Sequence, residues 1–175
     1  MNRETIKIAR ELFLGTDSLL AWRDSFTCIY GSAASEQNTP RSDIDFFVSA
    51  AEITEKDVET ISQFAEAFHQ ERGLGVDEEV PYTNKVAVSF TDLHSASNLR
   101  GLSLVDNRIS IPKVVKSSEF LSSKQIKFRL LFNALTVPNL PNRPHPEYLQ
   151  AKDAAEVNLF LLAVDLAEQR GFKTL

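Results

Sequence analysis

The sequence predicts an α/β fold of the α+β kind, with a small mixed β-sheet, helices packed against it, and a C-terminal helical segment. Three observations carry that expectation. Stretches with apolar residues three and four apart alternate with short runs of β-branched and aromatic residues. A chain of 175 residues that is 43% hydrophobic and 25% charged has the make-up of an ordinary globular domain and is long enough to bury a core. Four of the seven prolines crowd into one connector, after which helical spacing resumes.

The elements follow in order. Asn2 is placed to cap a first helix carrying Ile6, Ala9, Leu12 and Phe13 on one stripe. "FTCIY" (Phe26–Tyr30) reads as a strand ended by Gly31, and a loop over Ser32–Ser42 leads to a second strand, "DIDFFVSA". "TEKD" (Thr54–Asp57) resembles a capping box with Asp in place of Glu. The helix behind it turns Val58, Ile61, Ala65 and Phe68 inward and stops at Gly73. Strands "LGVDEEV" and "KVAVSF" come next, separated by the turn residues of "PYTN". Beyond Phe90 the pattern predicts a short polar segment, a strand "RISIPKVV" and a helix over Ser118–Leu135. "VPNLPNRPHPEY" is an extended connector, and a last helix, Glu147–Gly171, carries Val157, Phe160, Leu161 and Val164 on its apolar face. A boundary near residue 116 divides an α/β core (1–116) from a helical region (117–175).

Charge and cysteine content narrow the class. Nineteen Lys and Arg stand against 24 Asp and Glu, for a net charge of −5, which argues against strong non-specific nucleic-acid binding. Cys28 is the single cysteine, so no intramolecular disulfide forms, and its apolar neighbours make it a small buried hydrophobe. No signal-peptide core and no apolar run of about 20 residues is present, which predicts a cytoplasmic protein without a membrane span.

The chemistry concentrates in "CIYGSAASEQNTPRSDIDFFV", Cys28–Val48. Side chains alternate along a strand, so Asp43 and Asp45 project from one face, about 6.5–7 Å apart. Two hard carboxylates make half of a divalent-cation site, and Mg²⁺ prefers such ligands together with substrate phosphates. Asp77 and Glu79, on a later strand, are again two apart and face one way. Gly31 lets the backbone approach a ligand closely, and Ser32 offers a hydroxyl and an N–H to a phosphate oxygen. These are the parts of a two-metal phosphoryl- or nucleotidyl-transfer site. An EF-hand loop starting at Asp43 would need an oxygen ligand at Phe47 and glycine at Val48, and the G-x-x-x-x-G-K-[ST] of a Walker loop is absent.

The GS-x10-D-x-D pattern between two strands, with a later acidic strand, resembles the polymerase-beta-like nucleotidyltransferase superfamily, most closely its minimal nucleotidyltransferases. The resemblance covers Phe26–Phe90, around a third of the chain. It implies that Gly31 and Ser32, with Ser42 in the matching "NTPRSDID", hold the nucleoside triphosphate. It also implies that Asp43, Asp45 and a third carboxylate bind two Mg²⁺, with Mn²⁺ as a substitute. Asp77 is preferred over Glu79 for the third place, because the family takes this ligand from within the strand and Pro81 marks the strand end. Ser35 and Glu36 stand where relatives often carry arginine and glycine. The implied reaction moves a nucleoside monophosphate from a triphosphate, ATP first among them, to an acceptor hydroxyl on a small molecule, a protein or RNA. The competing expectation is a non-catalytic binding module of the same fold, acting through a protein partner as in toxin–antitoxin pairs.

The remaining candidates are weighed against packing. Phe120, Leu121, Phe128, Leu131, Phe132 and Leu135 share one arc, with Lys124 near its middle, Lys127 on its edge, and Arg129 and Asn133 opposite. Either the Lys124 stem snorkels, or the helix flanks the cleft and Lys124 reaches the β- or γ-phosphate, supplying the charge that the phosphate loop lacks. Glu78 alternates to the other side of its strand. Trp22 and the phenylalanines read as core, Tyr82 as turn packing rather than a base-stacking ring, and His69, His94 and His145 as surface or helix-end residues without a role.

Overall fold

A computed structural model describes residues 3–21, 23–35, 42–76, 80–98, 103–105, 108–110 and 123–171. In chain order the elements are α1 (Arg3–Leu19), β1 (Ser25–Tyr30), β2 (Phe46–Ala50), α2 (Glu55–Arg72) and a 3-10 turn (Tyr82–Asn84). They continue with β3 (Ala87–Ser89), α3 (Phe90–Ser97), β4 (Ser103–Val105), β5 (Arg108–Ser110), α4 (Ser123–Thr136), β6 (Asn139–Pro141) and α5 (Pro146–Gln169). The strand order is β3-β2-β1-β6, with β1 antiparallel to β2 and β6, and β3 parallel to β2. The sheet is mixed and small, as the composition and periodicity predict. β4 and β5 pair antiparallel with each other.

Alternation along the strands gives the sheet two apolar faces. Phe26, Cys28, Tyr30, Phe47 and Val88 point to one side, where α3, α4 and α5 cover them with Leu93, Leu131, Phe132, Leu135, Tyr148 and Ala151. Ile29, Phe46, Val48 and Ala87 point to the other, under Ala9 and Leu12 of α1 and Ile61, Ala65 and Phe68 of α2. With helices on both sides, every residue of β1 and β2 is buried. Thr27 is a buried polar residue on the α1 face, and its hydroxyl donates to Thr16 Oγ1 at 2.7 Å, stitching β1 to α1.

Several expectations change on this frame. The second strand begins at Phe46, so Asp43 and Asp45 lie on its approach rather than within it. Leu74–Val76 are not strand, and residues 77–79, with Asp77, Glu78 and Glu79, lie outside the described residues. "KVAVSF" shortens to Ala87–Ser89, because the Ser89 hydroxyl accepts from Asp92 N and starts α3, a helix the strand-like sequence conceals. β6 forms inside the proline-rich connector, where Pro141 is tolerated because β6 is an edge strand among the described residues.

The last helix turns the opposite way from its expected face. Tyr148, Ala151, Ala155 and Leu162 are buried, while Val157 is 59% and Phe160 68% exposed. On α1, Ala9 and Leu12 are buried but Ile6 is half exposed. The α2 expectations hold, with a complete Thr54–Asp57 capping box and Gly73 in the left-handed region at φ 61°. Leu131, Phe132 and Leu135 of α4 face the core as their arc predicts. Asn2, Trp22, Glu36, Phe120 and Leu121 lie outside the described residues. Among the described residues no helix is long and apolar enough to cross a membrane.

Candidate functional site

Four chain segments meet at one end of the sheet. β1 ends at Tyr30 where its antiparallel neighbour β2 begins, so the Gly31–Ser32 turn and the Asp43–Asp45 approach come together. β3 is parallel to β2, which brings Lys85, two residues ahead of β3, to the same end. α2 starts beyond the far end of β2 and runs back, so its last turn, with His69, returns there.

The Gly-Ser turn and the aspartates are joined through the backbone. Tyr30 N–H donates to Asp45 C=O at 3.0 Å, one pair beyond the ladder's last Cα match of Ile29 with Phe46. Gly31 follows at φ +74°, a conformation that costs a side-chain-bearing residue about 1–2 kcal/mol. A Cβ built on Gly31 would lie 3.4 Å from Asp45 Oδ2, so the turn passes directly beside that carboxylate. Ser35 N–H closes the turn onto Gly31 C=O at 3.0 Å, and Ser35 Oγ donates to Ser32 C=O at 3.3 Å. Ser32, Ser42, Asp43 and Asp45 are all half-buried, while Ile44 between the aspartates is 3% exposed. Both aspartates are therefore partly open to solvent, while Ile44 between them is turned into the core.

Two residues that sequence reasoning left without a role complete the arrangement. Lys85 is 3% exposed, with its ammonium 3.4 Å from Asp45 Oδ1 and 5.3 Å from the centre of the Tyr82 ring. Its sequence signal was a charge inside "NKVAV", directly ahead of an apolar strand. His69 is fully buried rather than a surface residue. It lies four residues after Ala65 on the inward stripe of α2, a spacing that marked it. Burial holds its imidazole below the ordinary value of 6.5, against the opposing pull of the Ala65 carbonyl and Asp43. Tyr82 is buried against His69, with ring centres 5.4 Å apart, in keeping with turn packing.

Other candidates lie elsewhere. Lys124 is largely exposed on α4, with its ammonium 4.0 Å from Asp92 on α3 and 5.3 Å from the Phe128 ring centre. Lys127 is the more enclosed lysine of that helix, 3.7 Å from Asp92, and burial lowers its ammonium below the usual lysine range. His145 is buried, pairs with Asp24 at 3.0 Å and packs on Phe26. His94 is half-buried and bonds Glu147. Cys28 is an inert packing thiol, pushed up to about 12 by burial. One cleft lies between α1 and β6, by Ile6, Phe13 and Leu140, and another lies by Arg23, Ala50 and Thr54 at the opposite end of β2.

The donor chemistry at the sheet end suits a hard cation, since Asp43 and Asp45 offer carboxylate oxygens beside a turn whose left-handed backbone calls for glycine. Among the described residues no group of three or more His, Cys, Asp or Glu could hold a metal ion. No family model, curated protein or solved structure matches the chain.

Proposed function

We propose that this protein is a Mg²⁺-dependent, cytoplasmic nucleotidyltransferase of the polymerase-beta-like kind, moving a nucleoside monophosphate from ATP or another triphosphate to an acceptor hydroxyl. The observation that carries the reading is the Gly31 turn passing beside the Asp45 carboxylate at the end of the β1–β2 pair. Asp43 and Asp45 would hold the metal, with Asp77 or Glu79 as third carboxylate. Bound Mg²⁺ supplies Lewis-acid charge that stabilises the transferring phosphoryl group and lowers the acceptor hydroxyl's pKa. The chain's own part is to orient. Gly31 keeps the phosphate approach clear, and the N–H and hydroxyl of Ser32, with Ser42 nearby, offer donors to phosphate oxygens. Lys85 fixes the direction of the Asp45 carboxylate. Lys124 contributes charge to the triphosphate only if it leaves its pairing distance from Asp92.

A second reading, a non-catalytic module of this fold working through a protein partner, draws support from the same lysine. Asp45 is already balanced inside the chain, so the acidic pair is tolerable without a metal. One experiment separates the two. With α-labelled ATP, Mg²⁺ or Mn²⁺ and whole-cell extract, label should pass to an acceptor, and Asp43→Asn should abolish transfer without altering the circular dichroism spectrum. Transfer by Asp43→Asn at the wild-type rate would remove the site assignment. Absence of transfer from every triphosphate, together with capture of a defined partner, would favour the binding module.

A further inference from the structure

We infer that His69 is the positioning residue of the Asp43–Asp45 pair, a neutral buried imidazole on α2 that holds the backbone of Ile44, the residue between the two carboxylates. Its meaning for catalysis rests on the function proposed above, but the clamp itself rests on geometry. Ile44 N–H donates to His69 Nε2 at 3.1 Å, and His69 Nδ1 lies 2.7 Å from Ala65 C=O. An amide N–H only donates and a carbonyl only accepts. Both bonds are therefore satisfied by one tautomer alone, with the proton on Nδ1 and the Nε2 lone pair toward the strand.

The bond is needed because Ile44 has run past the ladder. β1 ends with Tyr30 N–H on Asp45 C=O, and a buried amide one residue further must find another acceptor. The helix provides it. The imidazole packs against the Phe68 and Tyr82 rings, at centre distances of 5.9 and 5.4 Å. Its own carbonyl accepts from Leu74 N–H at 3.0 Å within the Gly73 cap, so the last turn of α2 is anchored. Pinning Ile44 inward fixes the backbone from which Asp43 and Asp45 both branch, with Asp45 beside the Gly31 turn. A carboxylate pair placed on irregular chain thereby gains the fixed spacing that a ladder would otherwise impose.

The wild-type protein tests the tautomer directly. The ¹⁵N spectrum of labelled histidine should show His69 protonated at Nδ1 and bare at Nε2, and a proton on Nε2 would overturn the inference. Two variants then test the role. His69→Leu removes the acceptor, while His69→Gln carries a side-chain oxygen that can replace Nε2. His69→Leu should speed amide exchange at Ile44 and weaken binding of Mn²⁺ alone by about 10- to 100-fold, as loss of an outer-shell support does. His69→Gln should recover most of both. Unchanged Ile44 exchange in His69→Leu, unchanged Mn²⁺ affinity, or failure of glutamine to restore either would overturn the assignment. If His69→Leu does not fold, the wild-type tautomer and the affinity kept by His69→Gln decide. If wild-type protein neither binds Mn²⁺ nor transfers nucleotide, the proposed function falls, while the tautomer and Ile44 exchange still decide the clamp.

Discussion

Asp45, proposed above as a metal ligand, is paired with the buried ammonium of Lys85. That makes Asp45→Asn a poorer catalytic probe than Asp43→Asn, because it also removes a charged acceptor from a lysine that is 3% exposed. We expect Asp45→Asn to lose about 1–3 kcal/mol of stability. Lys85→Met should be close to neutral, because a straight apolar chain fits the space of the lysine stem. The double variant should recover most of the loss, with a coupling above about 0.5 kcal/mol in urea unfolding. An Asp45→Asn protein as stable as wild type would show that the pair is not coupled. His69 gives a second expectation, on pH. Its folded value is below 6.5, so the unfolded chain takes up a proton that the folded chain refuses. The stability it contributes is complete above 6.5 and is lost as pH falls from there through the folded value. Between pH 7.5 and 5 the melting temperature of wild type should therefore fall further than that of His69→Gln, a difference in which His94 and His145 cancel. Equal slopes would mean that His69 is not held neutral. At this scale the meeting of the Gly-Ser turn with the aspartates was legible, because a short loop between two adjacent strands returns its ends to one place. His69 and Lys85 were not, since what matters about them is which backbone amide or carboxylate the fold brings near.

The second helix shows how much an element can declare in advance, and its start is as firmly held as the end that carries His69. Thr54 accepts from Asp57 N–H at 3.2 Å, while Asp57 Oδ2 accepts from Thr54 N–H and from Arg23 Nη1, both at 2.7 Å. Burial pushes the Asp57 carboxyl up, but the hydrogen bonds from Arg23 and Thr54 outweigh it and hold it below the ordinary value. Thr54→Ala should cost about 1 kcal/mol, the usual worth of an N-cap. Asp57→Ala should cost more, because it also releases Arg23 from its acceptor 34 residues away. Each kcal/mol corresponds to a fall of about 2–4 °C in melting temperature for a chain of this size. Equal losses in the two variants would show that the Arg23 bond adds nothing. The cap, the stripe and Gly73 were all readable because each depends on residues within one or two turns. α3 carried a comparable start signal, Ser89-x-x-Asp92, but the alternation of "KVAVSF" ran into it and competed for the same residues. α5 failed for the opposite reason. From Leu159 to Val164 it is apolar on every side, so periodicity cannot choose a face. The face was chosen by Ala151 and Ala155, fully buried small residues that let the helix approach its neighbours closely.

Across the whole molecule, the sheet is shared between parts of the chain that the sequence divides near residue 116. β6 adds to the edge of β1 through Cys28–Pro141 and Ile29–Leu140 pairing, and Asn142 continues the contact by accepting from Thr27 N–H at 3.0 Å and donating to Asp17 at 2.8 Å. α4 and α5 cover the face that presents Phe26, Cys28, Tyr30, Phe47 and Val88. Composition could reveal the proline connector but not that it re-enters the sheet, because strand pairing across more than 100 residues leaves no local trace. The consequence can be tested by truncation after residue 116. Each large apolar side chain returned to water forfeits about 1.5–3 kcal/mol. Uncovering Phe26, Tyr30, Phe47, Val88 and Leu93 together is therefore comparable with the whole stability of a typical domain, about 5–15 kcal/mol. Residues 1–116 alone should lack a cooperative thermal transition and should bind a hydrophobic dye. Adding residues 117–175 as a separate chain should restore folding in proportion to its concentration. A truncated protein that melts cooperatively without that addition would show that the first 116 residues form a domain in their own right, with the helices only laid upon it.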